Sequence, residues 1–483
     1  YTLMADGLKG KILAFTGITL IAVLLAYFIS QYQLIGVGTL IFIPAVFAYF
    51  YFSFRYEKLG LYLVLTLSFT LSIFGRYIPS AIPFGLSIDL ILVLSILMLF
   101  IKHYRDINLE RLKHPVFWLM LIWMAYIVLQ ILNPLAYSFA AWFYSMRGIA
   151  LYQTLIFLLL FLTFETKKDL KPFLYLWLGF SLLGVLWGAK QQMFGVSAAE
   201  QRWLDAGGAI THLLFGKLRV FSYYFDAGTF GAAMGQISLI CGILVTNAKF
   251  SLSRRVALAV LCVLFFYGLM ISGTRGALAV PGAGAIVFLV LSRNIRVLIP
   301  GILVLVLAFS FLKFTNIGQS NYEINRLRTA LDPNDASLQV RIRNRTRLTE
   351  YLKGKPFGGG IGTTGSWGNR FSPDTWLADF EPDGLYTRLR AESGIVGRNL
   401  YVLIWLSILI WGILLSWKKK EGTNKLIAMA FLSGFAGILL ANYGNSVLTQ
   451  FPVSTTTYLS IFFAFAILQE PVNHDAEATE DVN

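Results

Sequence analysis

Apolar residues run in long blocks along this chain, near 12–30, 34–54, 60–75, 84–101, 115–133, 148–165, 171–189, 228–247, 256–272, 276–292, 297–313, 395–416, 426–442 and 453–469. Most approach the ~20 residues that a helix needs to cross roughly 30 Å of hydrocarbon. The pattern predicts an all-α fold: a polytopic membrane bundle of about fourteen transmembrane helices. Polar stretches between the blocks are mostly short. Two are long, about 190–227 and about 314–394, and the second is long enough to be a partly helical subdomain outside the membrane. The chain thus divides into a membrane bundle over 1–313, a loop subdomain over 314–394, C-terminal spans over 395–469 and an acidic tail over 470–483.

Composition agrees. Hydrophobic residues make up 57% of the chain and charged residues only 13%, against roughly a quarter charged in soluble domains, which excludes a soluble globular protein. Alternating the connections sorts the cations. Arg55/Lys58, Lys102/Arg105/Arg111/Lys113, Lys167/Lys168/Lys171, Lys249/Arg254/Arg255, Arg293/Arg296 and Lys418/Lys419/Lys420/Lys425 all fall on one side, the cytoplasmic one by the positive-inside rule. Both termini are then expected in the cytoplasm. Lys9 and Lys11 precede the first apolar block with no small-residue cleavage site after it, which reads as an uncleaved first helix. Cys241 and Cys262 fall inside expected spans and read as packing residues.

The net charge of +15 exceeds what topology requires. The surplus lies on the outer face, mostly as arginine: Arg326, Arg328, Arg341, Arg343, Arg345, Arg347, Arg370, Arg388 and Arg390. Arg341/Arg345 and Arg343/Arg347 are i,i+4 pairs, so a helix would carry them as adjacent stripes, with Leu348 and Leu352 anchoring its apolar side. Such a helix is either a solvated or headgroup-binding element or part of a pyrophosphate site, because guanidinium forks match phosphate oxygens. Arg275, in Ser272-Gly273-Thr274-Arg275-Gly276, and Arg219, before Val220-Phe221-Ser222, lie close to hydrocarbon. Charges at that depth usually face a cavity or the bundle interior, although snorkelling is an alternative. Arg147 is a further candidate.

The run Pro356-Phe357-Gly358-Gly359-Gly360-Ile361-Gly362 is either a turn with exposed amides or a tight connector; it lacks the ending of a P-loop. Asp374, Asp379, Glu381, Asp383 and Glu392 suit salt bridges with the arginines, or one of them suits a general base. Of four histidines only His212 is on the outer side, where a non-catalytic role is expected. No His/Cys/Asp spacing suggests a metal site, and no GxSxG suggests a serine hydrolase.

Four segments resemble the O-antigen ligase/O-antigen polymerase superfamily of bacterial membrane glycosyltransferases. They are Arg219-Val220-Phe221-Ser222 running into Gly228-Thr229-Phe230-Gly231-Ala232; Ile271-Ser272-Gly273-Thr274-Arg275-Gly276-Ala277; Ser337 to Arg341 followed by the glycine run; and Asp383-Gly384-Leu385-Tyr386 ending in Glu392-Ser393-Gly394-Ile395-Val396-Gly397. They cover about 180 residues in family order; upstream the match is by hydropathy alone. The resemblance implies a metal-independent, C-class glycosyltransferase fold in the bacterial inner membrane, without a cofactor. The donor would be an undecaprenyl-pyrophosphate-linked glycan on the periplasmic face, the acceptor a glycan or lipid-linked hydroxyl, and a polymerase would work with a chain-length regulator protein. Nucleic acid is not an expected partner. Arg219 and Arg275 match family arginines that hold the pyrophosphate, and Arg341 is a further candidate for it. Trp367, Tyr386 and Arg388 are expected to bind glycan; Trp376 suits either glycan or the headgroup layer. One departure stands out. Ligases of the family carry a His-Asn pair nine residues before the position of Glu392, where this chain has Asp383-Gly384. Asp383 then serves as the base or orients the acceptor, and the change favours a polymerase over a ligase to lipid A-core or to protein. The rival from another class is a lipid-glycan flippase.

Overall fold

The computed structural model describes residues 44–78, 84–214, 216–319 and 336–470, with isolated positions among 16–40 and 324–328. Most of the expected span at 12–30, Arg326 and nearly all of the acidic tail, including His474, lie outside the described residues. Two compact units are present, Tyr1–Gly60 with Ser95–Arg105 and Leu61–Leu94 with Asp106–Asn483. In the first, Glu57 pairs with Lys102 at 2.6 Å and His103 at 2.7 Å. All the chemistry below belongs to the second.

The described chain is helical apart from one two-stranded hairpin, Leu213–Leu214 with Lys217–Leu218. In order the long helices are α1 (Leu59–Tyr77), α2 (Leu86–Lys102), α3 (Pro115–Leu132), α4 (Phe139–Thr163), α5 (Thr166–Phe194), α6 (Ala227–Val245), α7 (Leu252–Ile271), α8 (Arg275–Ser292), α9 (Ile295–Phe314), α10 (Ala336–Tyr351), α11 (Leu385–Lys418), α12 (Thr423–Ala441) and α13 (Val453–Gln469). Among the described residues nine of them, α1, α3 to α8, α11 and α12, are long and apolar enough to cross a membrane. The chain is thus a polytopic helical bundle of the multi-pass membrane type.

Two helices start well before their apolar blocks. α4 begins at Phe139 and passes through a π-turn at Arg147–Leu151, and α11 begins at Leu385. Charged residues in the first turns of α11 (Arg388, Arg390, Glu392) interrupt the hydropathy but not the backbone hydrogen bonding.

α6 and α12 are the most enclosed of the nine. Small residues let helix backbones approach closely in this kind of bundle. A Cβ built on Gly437 of α12 would lie 2.2 Å from the Val280 carbonyl oxygen of α8, and one on Gly284 of α8 would lie 2.7 Å from that of Ser433. This crossing brings the first turn of α8, carrying Arg275, to the turn that follows α12.

α11 is kinked at Gly394, whose φ is +69°. The glycine run closes onto that kink. Gly359 N donates to the Ala391 carbonyl and Gly360 N to that of Glu392, both at 2.9 Å. The run is therefore a tight connector, and those amides are committed within the protein. A Cβ on Gly394 would sit 1.9 Å from the Pro356 carbonyl oxygen. Backbone cannot move aside as a flexible side chain can, and positive φ adds strain. Gly394→Ala is expected to destabilise the protein by about 4 kcal/mol or more, read as a large drop in the thermal midpoint in detergent; an unchanged midpoint would contradict this packing.

Candidate functional site

The segment before α6 holds Arg219 in place. Ser222 has a φ of +53°, rare for a residue with a side chain. It is clamped on all sides: its N–H donates to Gln191 Oε1 at 2.7 Å, its carbonyl accepts from Gln191 Nε2 at 3.0 Å and from Arg76 Nη1 at 3.2 Å, and its hydroxyl donates to the Gly184 carbonyl at 2.7 Å. Arg76 also lies over the rings of Trp203 and Phe221, at 4.4 and 4.5 Å. Next to this clamp, Val220 N donates to the Ile271 carbonyl at 3.2 Å. Arg219 donates through Nη1 to the Thr211 carbonyl at 2.8 Å and through Nη2 to the Thr274 hydroxyl at 2.7 Å. Thr274 precedes Arg275, the first residue of α8, which is partly exposed. The two arginines singled out in the sequence thus belong to adjoining segments.

The basic helix α10 contributes the next pair. Leu348 is fully buried with Leu377, Phe380 and Ala391, and Tyr351 and Leu352 pack against them. This anchoring turns the Arg341/Arg345 stripe inward and leaves Arg343 and Arg347 exposed. Arg341 Nε lies 4.0 Å from Asp383 Oδ1. Arg345 hydrogen-bonds the Tyr443 hydroxyl, donates to its carbonyl at 3.2 Å and stacks 3.9 Å from the ring centroid. The Asp383 side chain is only 18% exposed. Burial pushes its carboxyl above the usual range, against the opposing pull of the Arg341 and Arg345 guanidiniums. Its Oδ2 is buried and has no hydrogen-bond partner among the described residues.

These groups meet at the turn after α12. Ideal Cβ atoms on three glycines locate it: Gly276 would meet Asn445 Nδ2 at 2.8 Å, Gly228 would meet Asn445 Oδ1 at 3.0 Å, and Gly384 would meet Asn445 N at 3.0 Å and the Asn442 and Tyr443 carbonyls at 2.8 Å. A Cβ on Gly444 would lie 3.4 Å from Arg341 Nη1. Leu385 N donates to the Asn442 carbonyl at 3.0 Å. Gly228, Gly276 and Gly384 mark the N-terminal ends of α6, α8 and α11, so three helix N-termini converge on Asn445. Helix N-termini present free N–H groups and partial positive charge. Arg219, Arg275, Arg341 and Arg345 lie on the segments that meet here, so the locus is rich in positive charge. Two carboxylates adjoin it, Asp383 and Asp226, whose Oδ1 caps α6 by accepting from Thr229 N at 2.7 Å.

The remaining residues expected in the site lie elsewhere. Arg388 Nε meets Glu392 Oε1 at 3.1 Å and its Nη2 donates to the Ser145 hydroxyl at 2.7 Å; the Thr364 hydroxyl donates to Glu392 Oε1 at 2.6 Å. Trp367 stacks on Tyr144 with ring centroids 4.9 Å apart, and Phe371 lies 5.7 Å from Tyr144. Trp367 and Arg388 therefore share a second cluster on α4, centred on Tyr144 and Ser145. Trp376 stacks on Tyr351 at 4.4 Å and so helps hold α10. Tyr386 donates its hydroxyl to the Leu439 carbonyl at 2.7 Å, which ties α11 to α12. Arg147 is buried and its charge is met by an ion pair with Asp89 and a 2.8 Å hydrogen bond to the Tyr152 hydroxyl.

His212 is buried against Trp203 and Phe221. Its Nδ1 donates to the Gly208 carbonyl at 3.0 Å, so the Nε2 lone pair is free to accept from Ala227 N, 3.1 Å away. The ring thus caps α6 in its neutral form. Burial lowers its pKa, Arg219 and Arg76 add to this, and the Gly208 carbonyl and Asp226 oppose it. Folding then favours the neutral ring. Its contribution to stability is complete above the unfolded value of about 6.5 and is lost as pH falls below it. The thermal midpoint should fall between pH 7.5 and 5.5, with a shallower slope in His212→Gln; equal slopes would contradict the capping role.

Asn445, Tyr443 and the Ser222 clamp were not legible as site elements in the sequence: each is an ordinary polar residue in a short connection. Among the described residues no group of three His, Cys, Asp or Glu side chains is placed to hold a metal ion, and both cysteines are free thiols. Compared with models of known protein families and with curated proteins, the sequence matches none.

Proposed function

We propose that this chain is a metal-independent membrane glycosyltransferase that polymerises undecaprenyl-pyrophosphate-linked repeat units into a surface polysaccharide. The observation that carries the reading is the gathering of Arg219, Arg275, Arg341, Arg345 and three helix N-termini around Asn445, beside Asp383. Such a locus suits a diphosphate at the mouth of a bundle, and the resemblance of its segments to the O-antigen ligase/polymerase superfamily points to the same ligand. In this reading about fourteen helices span the bacterial inner membrane, both termini are cytoplasmic, and the arginine-lined mouth is periplasmic. The partly helical 314–394 segment covers it. The partners are the lipid-linked donor, a lipid-linked glycan acceptor and a chain-length regulator.

The chemistry follows from the charges. As the anomeric C–O bond breaks, its electron pair leaves with the lipid pyrophosphate, and the growing charge is met by Arg219, Arg275 and Arg341. Preorganised cations in a site of low dielectric stabilise such charge efficiently. The acceptor hydroxyl oxygen attacks the anomeric carbon from the opposite face and inverts it. Its proton passes to Asp383, whose raised pKa makes it a stronger base than an exposed carboxylate. The pyrophosphate linkage supplies the driving force, so no nucleotide is required. Trp367 and Arg388, on the α4 cluster, bind glycan further from the bond that reacts, and Tyr386 positions α11.

The test is reconstitution of the purified protein in vesicles with defined undecaprenyl-pyrophosphate oligosaccharide, followed by sizing of products. Long undecaprenyl-linked chains formed without any other acceptor are expected. Product only when lipid A-core is supplied would make it a ligase. Movement of the intact donor across the vesicle wall with no new glycosidic bond would make it a flippase.

A further inference from the structure

Three aromatic rings of the α4 cluster lie parallel in two layers. Trp367 and Phe371, one turn apart on the short helix Gly365–Phe371, have ring centroids 6.2 Å apart and planes 19° apart. Both are nearly parallel to Tyr144, at 16° and 10°, with centroids 4.9 and 5.7 Å from it. Rings on opposite faces of Tyr144 would be held further apart than 6.2 Å, so the two share one face and lie side by side. They make an apolar platform, and all three rings are only partly buried. Arg370 lies at its edge. It is exposed and makes no ion pair among the described residues, and its guanidinium carbon is 5.2 Å from the Phe371 centroid and 6.0 Å from that of Tyr144. The platform is tied to α11. Thr364, just before the short helix, donates to Glu392 at 2.6 Å, and Arg388 links Ser145, next to Tyr144, to the same carboxylate. Glu392 lies eight residues beyond Gly384, the N-cap of α11, a rise of about 12 Å. That is the reach of a short oligosaccharide from Asp383.

Shape and charge together select the ligand. Side-by-side rings suit a flat apolar face, and an unpaired guanidinium at their edge suits a carboxylate, which it meets through charge-assisted hydrogen bonds. A hexuronic acid carries both, the C–H face of its pyranose ring and a carboxylate at the rim. A neutral hexose would stack but leave Arg370 unmet. An acyl chain lacks the charge, and a phospholipid headgroup lacks the flat face. We propose that Trp367, Phe371 and Arg370 form a subsite for a hexuronate residue of the glycan. The rings take the C–H face and Arg370 takes the carboxylate. The subsite lies a short oligosaccharide's length from the bond that forms, so it selects acidic repeat units without taking part in the chemistry. The inference rests on the glycosyl-transfer reading above and adds to it the class of sugar.

Equilibrium binding to the full chain in phosphatidylcholine nanodiscs tests it. The probes are trisaccharides carrying glucuronate, galacturonate or mannuronate, each compared with its carboxyl-reduced counterpart. At least one uronate should bind about tenfold or more tightly than its reduced form. Arg370→Gln should erase that preference and leave binding of the reduced form unchanged. Trp367→Ala should weaken both forms, by about tenfold. Trp367 also packs on Tyr144, so the exposed Arg370 decides the matter if the Trp367 variant does not fold. No preference for any of the three uronates in the wild type, or a preference that survives Arg370→Gln, overturns the subsite. So does loss of the preference when phosphatidylglycerol is added to the nanodiscs, which would give the patch to lipid headgroups. The outcome is separable from that of the reconstituted reaction. Polymer formed by a wild type that shows no uronate preference sinks only this inference, whereas a wild type that forms no glycosidic bond sinks the functional reading itself.

Discussion

Replacing Arg275 with alanine should cut polymer formation by about 10²–10³-fold, with lipid-linked single repeats accumulating on the periplasmic side. The expected size follows from where the guanidinium sits. Arg275 opens α8 at the meeting point of three helix N-termini, and Arg219 holds the hydroxyl of the residue before it at 2.7 Å. A diphosphate bound there gains charge as its bond to sugar breaks, so a cation in place beforehand acts mainly on the transition state. Arg275→Lys keeps the charge but loses the planar two-pronged fork and should recover only part of the rate. Packing in this turn involves Gly276 and the fully buried Ala277. Normal chain length in the alanine variant would rule out the pyrophosphate role.

Asp383→Asn should lower kcat by about 10²–10⁴-fold and yet leave the protein as stable as the wild type or more so. The pairing of these effects is the informative part. Burial lifts the Asp383 carboxyl above its ordinary range even with Arg341 4.0 Å away. A carboxyl whose folded pKa is raised favours folding when protonated, and that contribution is lost as pH rises through the folded value. The ionised side chain is thus a net cost to folding, which asparagine removes. Loss of activity with gained stability is the signature of a strained functional group rather than a structural one. The acid limb of the wild-type pH–rate profile should likewise lie above the usual carboxylate range. A variant that retains near-wild-type kcat would take the base role from Asp383.

Much of the locus was legible one residue at a time. The i,i+4 spacing of Arg341 and Arg345 showed a basic stripe, and Leu348 showed the side that would be buried; α10 has both. The depth of Arg219 and Arg275 in the hydropathy pattern marked them as unusual charges. That the charge of Arg147 is met was not legible: only the tertiary fold reveals that Asp89 on α2 pairs with it. Arg388 and Glu392 are at i,i+4 spacing on one helix, but its continuation into the span from 395 was not legible because their charges interrupt the apolar run. The glycine run could not be separated into nest or connector until its amides were seen bonded to Ala391 and Glu392. Asn445 was the least legible of all. Its importance comes from three glycines far apart in the chain, and a lone asparagine after a span carries no pattern of its own.

The central claim is that guanidinium groups from separate segments grip one lipid diphosphate. Its most direct test is the affinity of the purified protein for undecaprenyl pyrophosphate itself, without sugar, in the wild type, Arg219→Ala, Arg275→Ala and the double variant. Losses of about tenfold or more in each single variant, combining in the double variant to less than their product because both groups act on one ligand, are the predicted result. Unchanged affinity in both single variants would contradict it.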